Sequence, residues 1–291
     1  MDGGVRPRRQ EVNASPNSGG LPFVLPMLLL SLGVFIVPFG VLAAYSLLAG
    51  DAPGQFGNYV AFFSDPFNVG VAIDTIKLAL MVTLAATIAA TPIALIFWHG
   101  GARMRQGVIF LTLLPLLTSN VVGTFAWIVL LGREGPLVAL SNRLGITHEP
   151  ATFMFTIGGL VVAQAQIVLP LLVLPLIAVF SRLDERIVEA AQVAGAGPWR
   201  ILWTILLPLA LPGYIAGWIL SFAGATTNLV TQTTIGGARN VYLPQYVYRQ
   251  VGILYNWPAA SAISIILVIS TGSVLLAIAM LARHPRLVGH V

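Results

Sequence analysis

The stretch EAAQVAGAGPWRILWTILLP, residues 189–208, decides how the whole chain is read. It opens with good helix formers, Glu189, Ala190, Ala191 and Gln192, and Asp184 and Glu185 stand just upstream, where carboxylates suit a helix N-terminus. Gly195 and Gly197, followed by Pro198, end that helix in a tight turn. Arg200 then leads into an apolar run in which Ile205, Leu207 and Pro208 restart the chain as a long segment, proline being best tolerated near a helix start. Small side chains at Ala190, Ala191 and Ala194 let such a helix enter a groove closely. A short, partly polar helix-turn between two long apolar runs belongs at a membrane surface.

The composition agrees. Of 291 residues, 57% are hydrophobic and 9% charged, with a mean hydropathy of +0.89, whereas a soluble domain carries about 25% charged residues. A hydrocarbon core of about 30 Å takes about 20 apolar residues. That pattern recurs six times, at 22–48, 76–98, 108–131, 153–180, 205–224 and 260–281. The expected fold is all-α, a polytopic membrane protein whose six transmembrane helices occupy 21–282, with a polar loop at 181–204, a flexible cytoplasmic tail at 1–20 and a cytoplasmic C-terminal tail at 283–291. The apolar run 21–50 is too long for a signal-peptide core of about 7–15 residues, so it reads as a retained anchor. The absence of cysteine rules out disulfides and thiolate metal sites.

Lysine and arginine outnumber the acids by 15 to 10. Placing both termini in the cytoplasm puts ten of those 15 basic residues inside, as the positive-inside rule asks. The inside arginines are scattered over four segments, which is no footprint for nucleic acid; membrane lipid is the expected surrounding. On the outside, the segment 225–259 carries Tyr242, Tyr246, Tyr248, Tyr255 and Trp257, suited to an interfacial belt or a lid.

Ion-coupled transporters place ionisable groups within their spans. The six spans hold no Asp, Glu, Arg or His, and Lys77 lies one residue from an end. The four histidines fall in loops or the tail, and there is no HExxH, GxSxG or Walker-type glycine loop. No catalytic residue, metal or cofactor is expected in this chain, and energy is expected to enter from elsewhere. An ion-coupled secondary transporter is the alternative from another class; it lacks the support of a visible internal repeat.

Glu189-Ala190-Ala191, three residues, Gly195, nine residues, Ile205, one residue and Leu207-Pro208 resemble, with every fixed position filled, the EAA motif of the membrane subunits of binding-protein-dependent (type I) ABC importers. LLPLLTSNVVGTFAWIVLLGREGPL (113–137), RLDERIVEAA (182–191) and NWPAASAIS (256–264) resemble the spermidine/putrescine-type branch, and the resemblance runs over 76–282. It implies a six-helix permease in the cell inner or plasma membrane whose 189-region helix is a coupling helix, seated in a cleft of a separate ATP-binding subunit. In that role Glu189 is a polar or charged contact, Ala190 and Ala191 are close-packing positions, Gly195 is the turn, and Asp184, Arg200, Ile205, Leu207 and Pro208 complete the coupling loop, whose polar part is 181–204. The implied partners are two copies of the ATP-binding subunit, which holds ATP and Mg, a second permease that is a different chain, and an extracytoplasmic solute-binding protein. The implied solute is a polyamine such as spermidine or putrescine, or else an aminophosphonate, an opine or an iron complex.

Polar residues at membrane depth are the candidate lining of the path: Thr118, Ser119, Asn120, Thr124 and Trp127, then Gln164 and Gln166, then Ser221 and Asn228. Each has a second reading as an interhelical hydrogen bond, worth about 0.6–2 kcal/mol. No carboxylate lies at membrane depth to meet a polycation. Either selection resides in an external binding protein, with aromatic and amide contacts such as Trp127 and Gln166 along the path, or the solute is one of the others. Pro170 and Pro175 read as a hinge or as static kinks, and Gly213, Gly217 and Gly224 as points of close helix approach.

Overall fold

The computed structural model describes residues 21–48, 54, 56–145, 152–237 and 240–282. The tails expected at 1–20 and 283–291, and the outside acids Asp51 and Glu149, lie outside these. The described residues are helical and contain no strand. In order they form α1 (Leu21–Ser46), α2 (Gly57–Ser64), α3 (Pro66–His99), α4 (Ala102–Leu117), α5 (Asn120–Leu131), α6 (Pro136–Arg143), α7 (Ile157–Phe180), α8 (Glu185–Val193) and α9 (Pro198–Ile201). A π-helical turn at Leu202–Leu206 follows, then α10 (Leu207–Thr227), α11 (Leu229–Ile235), α12 (Leu243–Gly252) and α13 (Trp257–Ala282). Among the described residues, six segments are long and apolar enough to cross a membrane: Pro26–Ser46, Pro66–His99, Asn120–Arg143, Ile157–Phe180, Pro198–Thr227 and Trp257–Met280.

The core is a bundle of α3, α7 and α10. Ala86, Ala90 and Ala94 form a fully buried stripe on α3, and α10 presents Gly213 and Gly217 to α7. A Cβ added at Gly213 would lie 3.1 Å from Pro175 O, and one at Gly217 would lie 2.9 Å from Leu172 Cγ and 3.1 Å from its Cα. Side chains this small are what let two helix backbones approach without the water-driven burial of a soluble core. Polar bonds tie the same bundle: the hydroxyls of Thr91 and Tyr214 are 2.8 Å apart, and Trp218 Nε1 donates to Thr87 Oγ1 at 2.9 Å. At the periphery, α1 packs on α13 and leaves its apolar surface exposed to whatever surrounds the chain.

Three expected boundaries are corrected. The helix of the second span begins at Pro66, well before the expected crossing at 76, because Asp65 caps it by accepting from Phe67 N at 2.9 Å and Pro66 starts the helix. With 34 residues α3 is about 51 Å long, so its first turns, with the exposed Asp74–Lys77 pair at 3.5 Å, extend beyond a 30 Å core. The third span, expected as continuous over 108–131, is broken at Thr118 and Ser119, both extended, so that the segment long and apolar enough to cross starts at Asn120 and runs to Arg143. Pro115 lacks the N–H that would continue the ladder, and Thr118 Oγ1 takes Leu114 O at 2.9 Å, so the side chain replaces a helical bond. The fifth span restarts at Pro198, not at 205. Ile205 lies inside the π turn, and Leu207 N–H bonds to Leu202 O five residues back, immediately before Pro208, which has no N–H to offer.

Candidate functional site

The polar loop holds α8, a nine-residue helix closed at both ends. Asp184 is its N-cap, accepting from Arg186 N at 3.0 Å. At the other end Ala196 N bonds to Ala191 O at 3.0 Å and Gly195 N to Gln192 O at 2.9 Å, the paired bonds of a Schellman stop. Gly195 has φ +82, which a side chain adopts only under strain, and a Cβ there would meet nothing within 4 Å. Gly195→Ala is therefore expected to cost about 1–2 kcal/mol of local strain without a clash, read as roughly 5- to 30-fold faster hydrogen exchange confined to α8.

One face of α8 is held by the chain and the other is presented. Val188 is buried, while Glu189, Ala190 and Val193 are exposed, Val193 by 91%. Trp199, Arg200 and Trp203 on the following helix are exposed too. Glu189 makes no hydrogen bond or ion pair among the described residues; it rims a cleft of about 180 Å³ with Trp98, His99, Glu185, Val188 and Gln192.

The device holding α8 to the bundle is Arg105, one of the scattered inside arginines to which the sequence assigned no role. Its Nε and Nη2 donate to Phe97 O and Trp98 O at 3.2 and 2.9 Å, occupying carbonyls left open at the end of α3. The same guanidinium lies 5.7 Å from the Phe97 ring centroid and 3.5 Å from Glu185. The ion pair is half-exposed and by itself worth less than about 1 kcal/mol; the value of Arg105 is that one planar fork joins two elements. Arg105→Ala is expected to speed hydrogen exchange several-fold in both α8 and the last turn of α3, and Arg105→Lys not to restore it, because a single ammonium lacks the fork. The detectable signal was the clustering of Arg103 and Arg105 directly after an apolar run ending in Trp98-His99.

The candidate path residues divide into two groups. Asn120 and Gln166 meet around a cavity of about 250 Å³ at the break in the third span, with Thr118, Ser119, Gly123 and Pro115. Trp127 Nε1 donates to Gln166 Oε1 at 3.3 Å and so stands behind it. Irregular backbone is tolerated at membrane depth where it lines a cavity. Thr124, Gln164, Ser221 and Asn228 are buried elsewhere. Thr124 Oγ1 is 3.0 Å from Thr231 Oγ1, joining α5 to α11; Ser221 donates to Gly217 O of its own helix; Asn228 caps α11. Gln164 is fully buried with neither amide atom partnered. The sequence reading missed Thr231 and Gln232, which sit on α11 beside this group.

A capped polar helix beside six helices long enough to cross a membrane, with a neutral cavity at a break between two helices, fits a membrane transport subunit. No family model matches the chain. It is 29% identical over 212 residues to the spermidine/putrescine transport system permease protein PotB of Escherichia coli (strain K12), covering 73% of this chain and 77% of that protein. It is 35% identical over 163 residues to the molybdenum transport system permease protein ModB of Azotobacter vinelandii, covering 56% and 70%. Its fold matches a chain of a bacterial alginate ABC transporter solved with an alginate pentasaccharide-bound periplasmic protein, at TM-score 0.73 and 16% identity over 90% of this chain. The chain belongs to the family of membrane permease subunits of ABC importers. It is a multi-pass membrane protein that works with an ATPase, a substrate-binding protein and a second permease, ATP hydrolysis falling to the ATPase.

Proposed function

We propose that this permease imports a small cationic solute of the polyamine class across the inner membrane by ATP-driven alternating access, and that α8 is the coupling helix through which a separate ATPase moves the bundle. The observation that carries the coupling role is α8 itself: capped at both ends, anchored by Val188 and Arg105, and presenting Glu189, Ala190 and Val193 outward. Two copies of the ATP-binding subunit hold ATP and Mg, and the second permease is a different chain. Glu189, with Asp184 and Arg200 on either side, supplies the polar contact; Ala190 and Ala191 allow close seating; Gly195 makes the turn.

The path runs past the break in the third span, where Asn120 and Gln166 offer neutral amides and Trp127 an aromatic face. This suits a cation that is selected by its binding protein and held loosely here, and it offers no arginine or lysine to an oxyanion. The relationship to PotB supports the polyamine class.

The test is a mild-detergent pull-down of the tagged chain from its native host, with uptake of labelled spermidine and molybdate compared in the recovered, reconstituted complex. Recovery of an ATPase and a second permease, with ATP-dependent spermidine uptake, is the expected result. A chain that purifies alone and moves solute without ATP overturns the coupling reading, and uptake of molybdate alone overturns the solute class.

A further inference from the structure

At the end of α3 remote from α8 lies a cavity of about 370 Å³, formed by α2, the first turn of α3, α12 and the start of α13. Its polar lining is Asn58, Asn68, Tyr246, Gln250 and Asn256, over an apolar floor that includes Phe62. None of these belongs to the coupling loop or the path described above. Asn58 and Asn68 are 8% exposed and Gln250 9%, so three carboxamides are more than nine-tenths buried around one space.

Their hydrogen bonds give the site a direction. Asn58 Nδ2 donates to Ser46 O at 3.1 Å and to Leu48 O at 3.0 Å, which commits both of its N–H groups and leaves Oδ1 as what it can offer. Asn68 Oδ1 is buried with no donor at all. Asn256 Oδ1 is engaged, accepting from Ala259 N at 3.1 Å as the cap of α13. Beside them stands the ring of Tyr246, held edge-on by Phe67 at 6.3 Å. A buried acceptor without a donor is costly and calls for one. No carboxylate, lysine or arginine lines the cavity. An ammonium brings three N–H donors and no acceptor, and it is drawn to an aromatic face. A carboxylate or phosphate would meet the Asn58 and Asn68 oxygens with no lysine or arginine in the lining to balance its charge.

We infer that this cavity binds a primary ammonium group. The group has two possible sources, a free alkylamine solute held before entry or a lysine of the docking binding protein. The inference rests on the proposed function for these two sources, and on the expected cytoplasmic termini for which compartment the cavity faces.

Ala61 is exposed on the rim, and the chain has no cysteine, so Ala61→Cys in the assembled transporter gives one reactive position in this subunit. Its alkylation by a maleimide, read by peptide mass spectrometry, is expected to slow at least threefold in 10 mM n-butylammonium and to be unaffected by 1-butanol, about as a site of this openness and neutrality allows. Asn68→Leu is expected to remove the protection. Asn68→Asp, which adds charge to the hydrogen bond, is expected to lower the protecting concentration about tenfold. Protection by docked binding protein but not by free amine, lost when the binding protein's lysines are acetylated, assigns the ammonium to a lysine. Equal protection by 1-butanol, protection unchanged in both Asn68 variants, or none from either source overturns the inference. A membrane-impermeant maleimide that reacts only after cell lysis would overturn the sidedness and leave the ammonium site standing.

Discussion

Glu189→Lys is expected to reduce ATP-dependent solute uptake at least tenfold while the chain still inserts, folds and co-purifies with its partner permease. The argument begins from what Glu189 does not do within the chain. It is exposed and makes no hydrogen bond or ion pair among the described residues, and lysine forms helix about as well as glutamate. Both caps of α8, Asp184 and the Gly195 turn, are untouched by the change. Loss of function in this variant therefore reports the surface that α8 presents. Reversing a charge at a docked interface costs several kcal/mol, where deleting a rim charge costs little. Uptake and ATPase co-purification, measured together in wild type and variant, check the point. Unchanged values in both would remove α8 from the coupling path.

Gly217→Val carries the largest expected effect on stability. A helix-interior glycine is normally replaced at a gain in propensity, but here the added carbon sits against the backbone of α7, 3.1 Å from Leu172 Cα and 3.3 Å from Leu172 O. Backbone atoms cannot rotate away, so α10 must move off α7, at a cost of about 1–3 kcal/mol or more. Because α3, α7 and α10 share one core, the shift also strains the Thr91–Tyr214 and Thr87–Trp218 contacts. The measurement is the thermal midpoint of the detergent-purified protein by size-exclusion chromatography. Gly33→Val in α1, where nothing lies within 4 Å, is the control expected to behave as wild type.

Hydropathy alone was enough to read six crossings and an all-α bundle, because the apolar runs are long and the polar segments short. The boundaries that went astray share a cause: caps and prolines act over two or three residues, which a window of twenty averages away. Asp65-Pro66 announces a helix start and Pro115-Leu116-Leu117-Thr118 a stop, yet both lie beside or inside apolar runs. The α8 loop was readable for the opposite reason. Its capping residues stand in a polar segment, where Asp184, Gly195 and Gly197 have no hydrophobic background to compete with. For Arg105 the sequence carried only a hint, two arginines directly after an apolar run; its partners are two main-chain carbonyls and a glutamate 80 positions away, which no local pattern marks. Among the candidate path residues, Ser221 and Asn228 show the limit of polarity as a signal: one hydroxyl bonds its own helix and one amide caps the next, so neither needs a solute.

The stretch expected as the third span, 108–131, consists of two mechanical pieces. Its first piece, α4, is pinned through Arg105 to the end of α3 and to Glu185 of α8. Its second, α5, is pinned through Thr124 to α11 and through Trp127 to α7. Thr118 and Ser119 are the swivel between them, without a helical hydrogen bond running straight across. Under the proposed coupling, Arg105 is the link by which a displacement of α8 acts on α4, and the break, whose two residues belong to the wall of the cavity, is where α4 and α5 can change their angle.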